Sequence, residues 1–173
     1  MPVLKKVVLS VFIGVILIVL GVGYGFFNLK SNSVYYAQRT PHKAGVEPVL
    51  MELVRNLPWV SNPDIKGISY DFDGNNIIHN IDSAGKDNAF TYYPRGEYQY
   101  YYDNGVVAYN FDENFEYIGT FYGDTSEYST KPVNVSAIKR DIYRTVQPVI
   151  DAQPEPLINL QWIYDWVNKD RFN

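Results

Sequence analysis

The chain has 173 residues, a formal net charge of −4, 16 tyrosines and no cysteine. Without cysteine it can form neither a disulfide bond nor a cysteine-linked lipid anchor, and it has no thiolate nucleophile. All 19 acidic residues lie beyond residue 30. This part of the chain therefore lacks the basic surface that binds nucleic acids and anionic lipid headgroups.

An uncharged, apolar segment at residues 7–27 is the first element of the chain. A helix of this length, rising about 1.5 Å per residue, extends about 31 Å and matches a hydrocarbon core about 30 Å thick. Lys5 and Lys6 precede the segment, which predicts a single-pass cell-membrane protein with a cytoplasmic N-terminus and an extracellular C-terminal domain. A cleaved signal peptide is the alternative, but the apolar run continues through Phe26 and Phe27 and favours an uncleaved anchor.

The sequence divides into three regions: a transmembrane anchor at residues 1–30, a juxtamembrane stalk at 31–45 and a folded domain at 46–173. The stalk is polar and contains Pro41 and Gly45. Residues 46–57 place apolar side chains on one side of a helical wheel, and Pro58 ends the pattern. This spacing is typical of an amphipathic helix that buries one face.

Beyond residue 66 the apolar side chains recur at every second position, which predicts β-strands. Residues 68–73 and 97–103 alternate most clearly, and Asp103-Asn104-Gly105 is a strong signal for a tight hairpin. Short apolar runs between further turns continue to Tyr122. We expect an antiparallel meander of about six strands in sequence order.

Two more helices are predicted at 138–150 and 157–167, where the apolar residues return to helical spacing. Trp162 and Trp166 lie beside the second apolar stripe, and we expect them to anchor this helix in the core. Together with the helix at 46–57, these helices should pack on one face of the sheet. The predicted fold class is α+β.

Acidic residues are concentrated in the predicted sheet, where they greatly outnumber Lys86 and Arg95. Period-two alternation sends apolar side chains to the helix-covered face and polar ones to the other face. The predicted partner-binding residues on this second face are Asp71, Asp73, Glu97, Gln99, Tyr101, Asp103, Asn110, Asp112 and Glu116. Carboxylates, amides and an exposed tyrosine suit a basic protein surface. The alternative is a solvated face whose charges keep the protein soluble.

Candidates for catalysis and metal binding are few. His42 lies in the predicted stalk and His79 in a short apolar run, and no nucleotide-binding loop or Ser-His-Asp pattern occurs. The segment from Asp71 to Asn75 is superficially similar to a calcium loop, but its glycine stands at the fourth position and not the sixth. We predict a protein that is not an enzyme and that takes no cofactor, metal ion or small-molecule substrate. A hydrolase with a carboxylate pair is the least favoured alternative.

The order of these features resembles the TipC family of immunity proteins. The resemblance is carried by the anchor, the helix ending in Leu57-Pro58, the strings Tyr92-Tyr93-Pro94-Arg95-Gly96 and Tyr101-Tyr102-Asp103-Asn104-Gly105, and the aromatic helix with Trp162, Tyr164 and Trp166. It implies a membrane-tethered protein, displayed outside a Gram-positive cell, that binds and blocks a secreted LXG toxin. Such a toxin is delivered by type VII secretion and attacks the cell-wall precursor lipid II. The alternative is a surface module that binds cell-wall glycan, with tyrosines stacking on sugars.

Overall fold

The computed structural model describes residues 2–173, and the side chains of residues 7–173. It begins with one long helix, α1 (Pro2–Ser31). The apolar part of α1 has a mean hydropathy of 2.8, and none of it is buried inside the protein. The helix is therefore long and apolar enough to span a membrane, properties that a signal sequence can share.

A single antiparallel sheet of seven strands follows, with each strand hydrogen-bonded to the next in sequence order. The strands are β1 (Ile68–Asp71), β2 (Asn76–Ile81), β3 (Asp87–Tyr92), β4 (Tyr98–Tyr102), β5 (Val107–Phe111), β6 (Tyr117–Tyr122) and β7 (Glu127–Ser129). The predicted α+β meander is confirmed, with one strand more than expected. The extra strand, β7, has only three residues, too few for a period of two to be recognised in the sequence.

Four helices complete the fold: α2 (Ser33–Ala37), α3 (Pro48–Arg55), α4 (Val135–Asp151) and α5 (Gln161–Phe172). Pro48 stands in the first turn of α3. The backbone N–H groups of this turn have no acceptor within the helix, so the N–H that proline lacks costs no hydrogen bond. The side chain of Asn134 caps α4 by accepting a hydrogen bond from the Ala137 N–H at 3.0 Å. Pro148 lies inside α4 without ending it.

The core forms where the helices meet one face of the sheet. Its sheet residues are Ile78, Phe90, Tyr98, Tyr100 and Phe111, and its helix residues include Val34, Tyr36, Leu50, Leu53, Val54, Ile142, Val146, Val149, Tyr164 and Phe172. The strand register aligns Ile78, Phe90 and Tyr100 across β2, β3 and β4. All five sheet residues thus share one face, as the alternation predicts.

The predicted stalk at 31–45 needs correction, because half of it belongs to the folded domain. Residues 33–37 form α2, and Val34, Tyr36 and Ala37 are at most 1% exposed. Further along, the Lys43 N–H donates to the Phe172 carbonyl oxygen at 2.7 Å. The first part of this segment is buried because its apolar residues face α3 and α5, a tertiary contact that local polarity does not reveal.

The expectation that Trp162 and Trp166 anchor α5 in the core is wrong. Their side chains are 72% and 75% exposed, whereas Tyr164 is only 2% exposed. Each tryptophan lies two positions from Tyr164, about 200° around a helix. When Tyr164 faces the core, both tryptophans must face outward.

Candidate functional site on the open face of the sheet

The face of the sheet opposite the core, called here the open face, is a patterned surface. One row across the strands holds His79, Ala89, Tyr101, Ala108 and Phe121, and the next holds Ile77, Thr91, Gln99, Asn110 and Gly119. The small side chains at the centre of these rows leave space between the larger tyrosine side chains. Two adjoining depressions result, and only strand and hairpin residues line them.

A directed chain of hydrogen bonds crosses the open face. The Tyr93 hydroxyl donates to Gln99 Oε1 at 2.8 Å, so the Tyr101 hydroxyl donates to Tyr93 across 2.7 Å. Gln99 Nε2 then donates to Asn110 Oδ1 at 2.6 Å, and Asn110 Nδ2 reaches the Gly119 carbonyl oxygen at 3.3 Å. Burial raises the pKa of Tyr93 well above its ordinary value. The chain therefore stays neutral and holds the side chains in fixed orientations.

The first depression, the central cleft, has a volume of about 300 Å³ and lies between Tyr93, Tyr101 and His79. Asp87 closes one end and accepts a hydrogen bond from His79 Nδ1 at its Oδ2 atom, 2.8 Å away. Thr91, with 0% exposure, forms the floor. The cleft therefore combines a carboxylate, a hydroxyl and two aromatic rings.

Two oxygen atoms of this cleft are buried without a hydrogen-bond partner among residues 7–173: Asp87 Oδ1 and Thr91 Oγ1. A buried polar atom without a partner costs about 1–3 kcal/mol, and the cost is higher for a charged group. Both atoms accept hydrogen bonds, and the carboxylate does so with a negative charge. The carboxylate of Asp87, with 34% of its side chain exposed, is the group that a positively charged donor can approach, whereas Thr91 has no exposed surface.

The second depression, the rim depression, has a volume of about 560 Å³ and adjoins the central cleft at Tyr93. It is bordered by Arg95, Glu97, Gln99 and Asn110. Glu97 is exposed, while Gln99 and Asn110 are half-buried. The two depressions thus form one continuous polar and aromatic surface.

The structure brings some of the predicted partner-binding residues together and separates others. Gln99, Tyr101 and Asn110 are neighbours at the centre of the open face. Asp71 lies on β1 opposite Ile77, at the edge of this face. Asp73, Glu97, Asp112 and Glu116 lie in hairpin connections at one end of the sheet, and Asp103 begins a connection at the other end.

Three of these six acids have a local structural role as well. Asp71 Oδ1 accepts from the Asp73 N–H at 2.9 Å, and Asp112 Oδ1 accepts from the Glu116 N–H at 2.8 Å. Asp103 Oδ2 lies 2.9 Å from Lys86 Nζ, and this partner raises the pKa of Lys86. Five of the acids therefore lie at one end of the strands and Asp103 at the other, with the neutral bonded chain between them.

Of the nine residues that line the central cleft, Tyr101 alone was among the predicted site residues, and the missed ones include His79, Asp87, Thr91 and Tyr93. Alternation with the core residue Phe90 assigns Thr91 to the open face, so its position was accessible from the sequence. The diagonal contact of His79 with Asp87 depends on the register of β2 against β3, in which His79 pairs with Ala89. The sequence alone does not fix that register.

Within the part of the chain that the structure describes, no group of three His, Asp or Glu side chains is placed to hold a metal ion. Comparison of the chain with protein-family models, with curated proteins and with solved structures found no match. The assignment of a function therefore rests on the residues of this chain and on their geometry.

Proposed function

We propose that this chain is a membrane-tethered, extracellular immunity protein that binds and neutralises a secreted protein toxin through the open face of its sheet. The observation that carries the proposal is the central cleft, where the 34% exposed side chain of Asp87 lines the same depression as Tyr93 and Tyr101. Within the described residues, Asp87 Oδ1 has no hydrogen-bond partner. A docking surface gains affinity when such a concave, partly desolvated group meets a partner of opposite charge.

The partner's matching group is a lysine or arginine side chain. Its N–H groups can donate to the partly exposed carboxylate of Asp87, and a charge-assisted bond of this kind is roughly twice as strong as a neutral one. Tyr93 and Tyr101 border the same cleft and offer aromatic faces that attract a cation. The cleft is therefore suited to be the point where the partner's binding energy is concentrated.

The acids at the two ends of the strands supply the second part of recognition. Asp73 and Glu97 are exposed at one end, and Asp103 is half-buried at the other. Exposed charges of one sign accelerate the encounter with an oppositely charged surface and set its orientation, but add little to final affinity. We therefore infer a partner with a basic docking surface.

The location of the domain follows from α1. Lys5 and Lys6 precede its apolar part, which supports a cytoplasmic N-terminus and an extracellular sheet. The resemblance to TipC immunity proteins supplies the partner class, an LXG toxin that reaches the cell surface by type VII secretion and attacks lipid II. A tethered domain that occludes such a toxin needs no catalytic group and no cofactor of its own.

The test is binding of the full chain, held in lipid nanodiscs, to the LXG toxin encoded by the neighbouring gene. We expect a stable complex, and Asp87→Asn should weaken it at least about tenfold because the carboxylate at the end of the cleft loses its charge. The matched control is Asp151→Asn, the same chemical change at an exposed residue of α4, which should leave the affinity unchanged.

The absence of any complex would overturn the proposed function. A complex that tolerates Asp87→Asn would retain the function but move the docking site away from the central cleft. Protection of cells that produce the toxin gives a second readout, since a neutralising protein must restore growth and its weakened variant must do so less well.

A glycan-binding module is the second candidate, and the neighbouring rings and amides of Tyr93, Tyr101, Gln99 and Asn110 favour it. Stacking on sugars does not depend on charge. Retention of the full chain on purified peptidoglycan at high salt, together with no affinity for the toxin, would favour this second function.

A further inference from the structure

All three tryptophans of the chain lie on its surface. Trp59 is 46% exposed, and Trp162 and Trp166 are more exposed still. Leu157, at 98%, and Ile158, at 54%, lie just before α5 and are exposed as well. These five residues, called here the base patch, place large apolar side chains where water would surround them.

Three residues of the base patch, Trp59, Leu157 and Ile158, contact or adjoin α1. The Trp59 ring packs edge-on against Phe26 of α1, with ring centroids 5.9 Å apart. Leu157 lines a cleft of about 320 Å³ together with Tyr24 and Phe27. Asn28 Nδ2 donates to the Ile158 carbonyl oxygen at 3.1 Å. The patch therefore begins at the level where the uncharged segment of α1 ends.

The junction between α1 and the domain is ordered by buried hydrogen bonds. Asn28 is 3% exposed, and its Oδ1 atom accepts from the Tyr36 hydroxyl at 2.6 Å. Two residues later, Lys30 Nζ donates to Asn56 Oδ1 at 3.0 Å. Because helix and domain are joined by these side chains and not by a free stalk, the position of α1 in a bilayer fixes the height of the domain.

From these contacts we propose that the base patch lies in the headgroup layer of the membrane and holds the domain against the bilayer. Tryptophan is enriched at this depth because its ring is apolar while its N–H can still reach polar headgroups and water. Leu157 and Ile158 gain the free energy of leaving water when they enter the same layer. The inference requires that α1 spans the membrane, but it does not require that the open face binds a toxin.

The first experiment uses the full chain in nanodiscs assembled with a tryptophan-free scaffold protein, so that every tryptophan signal comes from the base patch. Brominated phospholipids quench the fluorescence of tryptophans that contact lipid. We expect strong quenching and a blue-shifted emission, and the strongest quenching for a variant that retains only Trp59, since Trp59 touches α1. Equal emission in brominated and unbrominated lipid would overturn the proposal.

A double variant tests the contact of the base patch with lipid separately from the anchoring of α1. Leu157→Asp with Ile158→Asp places charges in the patch and should markedly reduce quenching of Trp162 and Trp166, while the chain still co-purifies with nanodiscs. The control is Ile81→Asp, at a residue 50% exposed on the β2 strand, which should leave quenching unchanged. Unaltered quenching in the Leu157/Ile158 variant would also overturn the proposal.

The remaining outcomes are distinct. Failure of the wild-type chain to enter nanodiscs would refute both membrane anchoring and the contact of the base patch with lipid. It would not decide whether the open face binds the toxin, because toxin binding is measured in a separate experiment. A blue shift that depends on protein concentration and not on bromination would show that a second copy of the chain covers the patch, which again contradicts a lipid contact.

Discussion

Arg171, in the last turn of α5, forms a buried ion pair with Glu52 of α3. Glu52 is 4% exposed, and its other carboxylate oxygen accepts from Asn56 Nδ2 at 2.8 Å. Burial lowers the pKa of Arg171, but the charge of Glu52 and the interactions with Tyr98 together outweigh this effect and raise the pKa above its ordinary value. Because Asn56 also accepts from Lys30, the pair is part of a network that joins both ends of the chain.

Removal of one partner of this pair should destabilise the protein strongly. Arg171→Leu leaves the carboxylate of Glu52 buried and uncompensated, and we expect a loss of about 3–5 kcal/mol in the free energy of unfolding. Denaturant unfolding of the full chain in detergent, followed by near-ultraviolet circular dichroism, measures it. The control is Arg144→Leu. Arg144 pairs with Asp141 but is 81% exposed, and its loss should cost less than about 1 kcal/mol.

Buried tyrosines should make the protein sensitive to alkali. Burial raises the pKa of Tyr98 to about 12, and burial together with the bond to Asp141 raises that of Tyr100. The folded state therefore retains protons that the unfolded chain releases above about pH 10, so stability is complete below that pH and falls above it. Above about pH 10, each such tyrosine lowers the free energy of unfolding by about 1.4 kcal/mol per pH unit, until the pH reaches the pKa of that tyrosine in the folded protein.

The measurement is the free energy of unfolding of the full chain at neutral pH and at about pH 11. Tyr100→Phe should reduce the difference between the two values, although it costs stability at neutral pH because Asp141 loses a donor. Phenylalanine in place of the exposed Tyr122 serves as control. A difference that Tyr100→Phe leaves unchanged would contradict the assignment of the pH dependence to this buried hydroxyl.

The short edge strand β7 should depend on Gly119. A Cβ atom at this position collides with the Tyr128 hydroxyl, which donates to the neighbouring Ile118 carbonyl oxygen at 3.0 Å. Gly119→Ala should therefore displace Tyr128, cost about 1–2 kcal/mol and speed hydrogen exchange in β7. In a Tyr128→Ala background the same substitution should add little further loss. Equal losses in both backgrounds would show that Tyr128 does not transmit the effect.

The hairpins were predictable because their signals are local. Asp103 and Asn104 have φ angles of 50° and 60°, a conformation that Asn, Asp and Gly tolerate and that tight hairpins require. Burial is decided differently. Tyr36 and Trp162 are both aromatic residues on helices, yet Tyr36 is fully buried and Trp162 is exposed, because packing of distant segments selects which stripe faces the core.

The candidate site was predictable in part for the same reason. Gln99, Tyr101 and Asn110 follow from the alternation of β4 and β5, whose hairpin fixes which side chains lie opposite each other. The cleft atoms of Asp87 and Thr91 were missed, because a buried atom without a partner is a property of three-dimensional packing. Composition emphasised the exposed acids, while the unpartnered atoms of the cleft lie between them.

Thr91→Val should stabilise the protein and leave its affinity for the toxin unchanged. The substitution keeps the shape of the side chain and removes the unpartnered Oγ1 atom, so we expect a gain of about 1 kcal/mol in the free energy of unfolding. Thr91 has no exposed surface, and the docked partner should therefore not contact it. Unfolding and binding measured on the same preparation check both expectations. A loss of stability would contradict the assignment of Oγ1 as a buried atom without a partner.

Charge reversal at the exposed end of the open face should act on the rate of binding. Asp73→Lys combined with Glu97→Lys replaces two exposed carboxylates beside the rim depression. We expect association with the basic toxin surface to slow about tenfold at low salt, with little change in dissociation, because these charges act on the encounter. The difference should shrink as salt screens charges beyond about 10 Å. Asp151→Lys on α4 is the control, and an equal slowing there would indicate a response to net charge instead of to the open face.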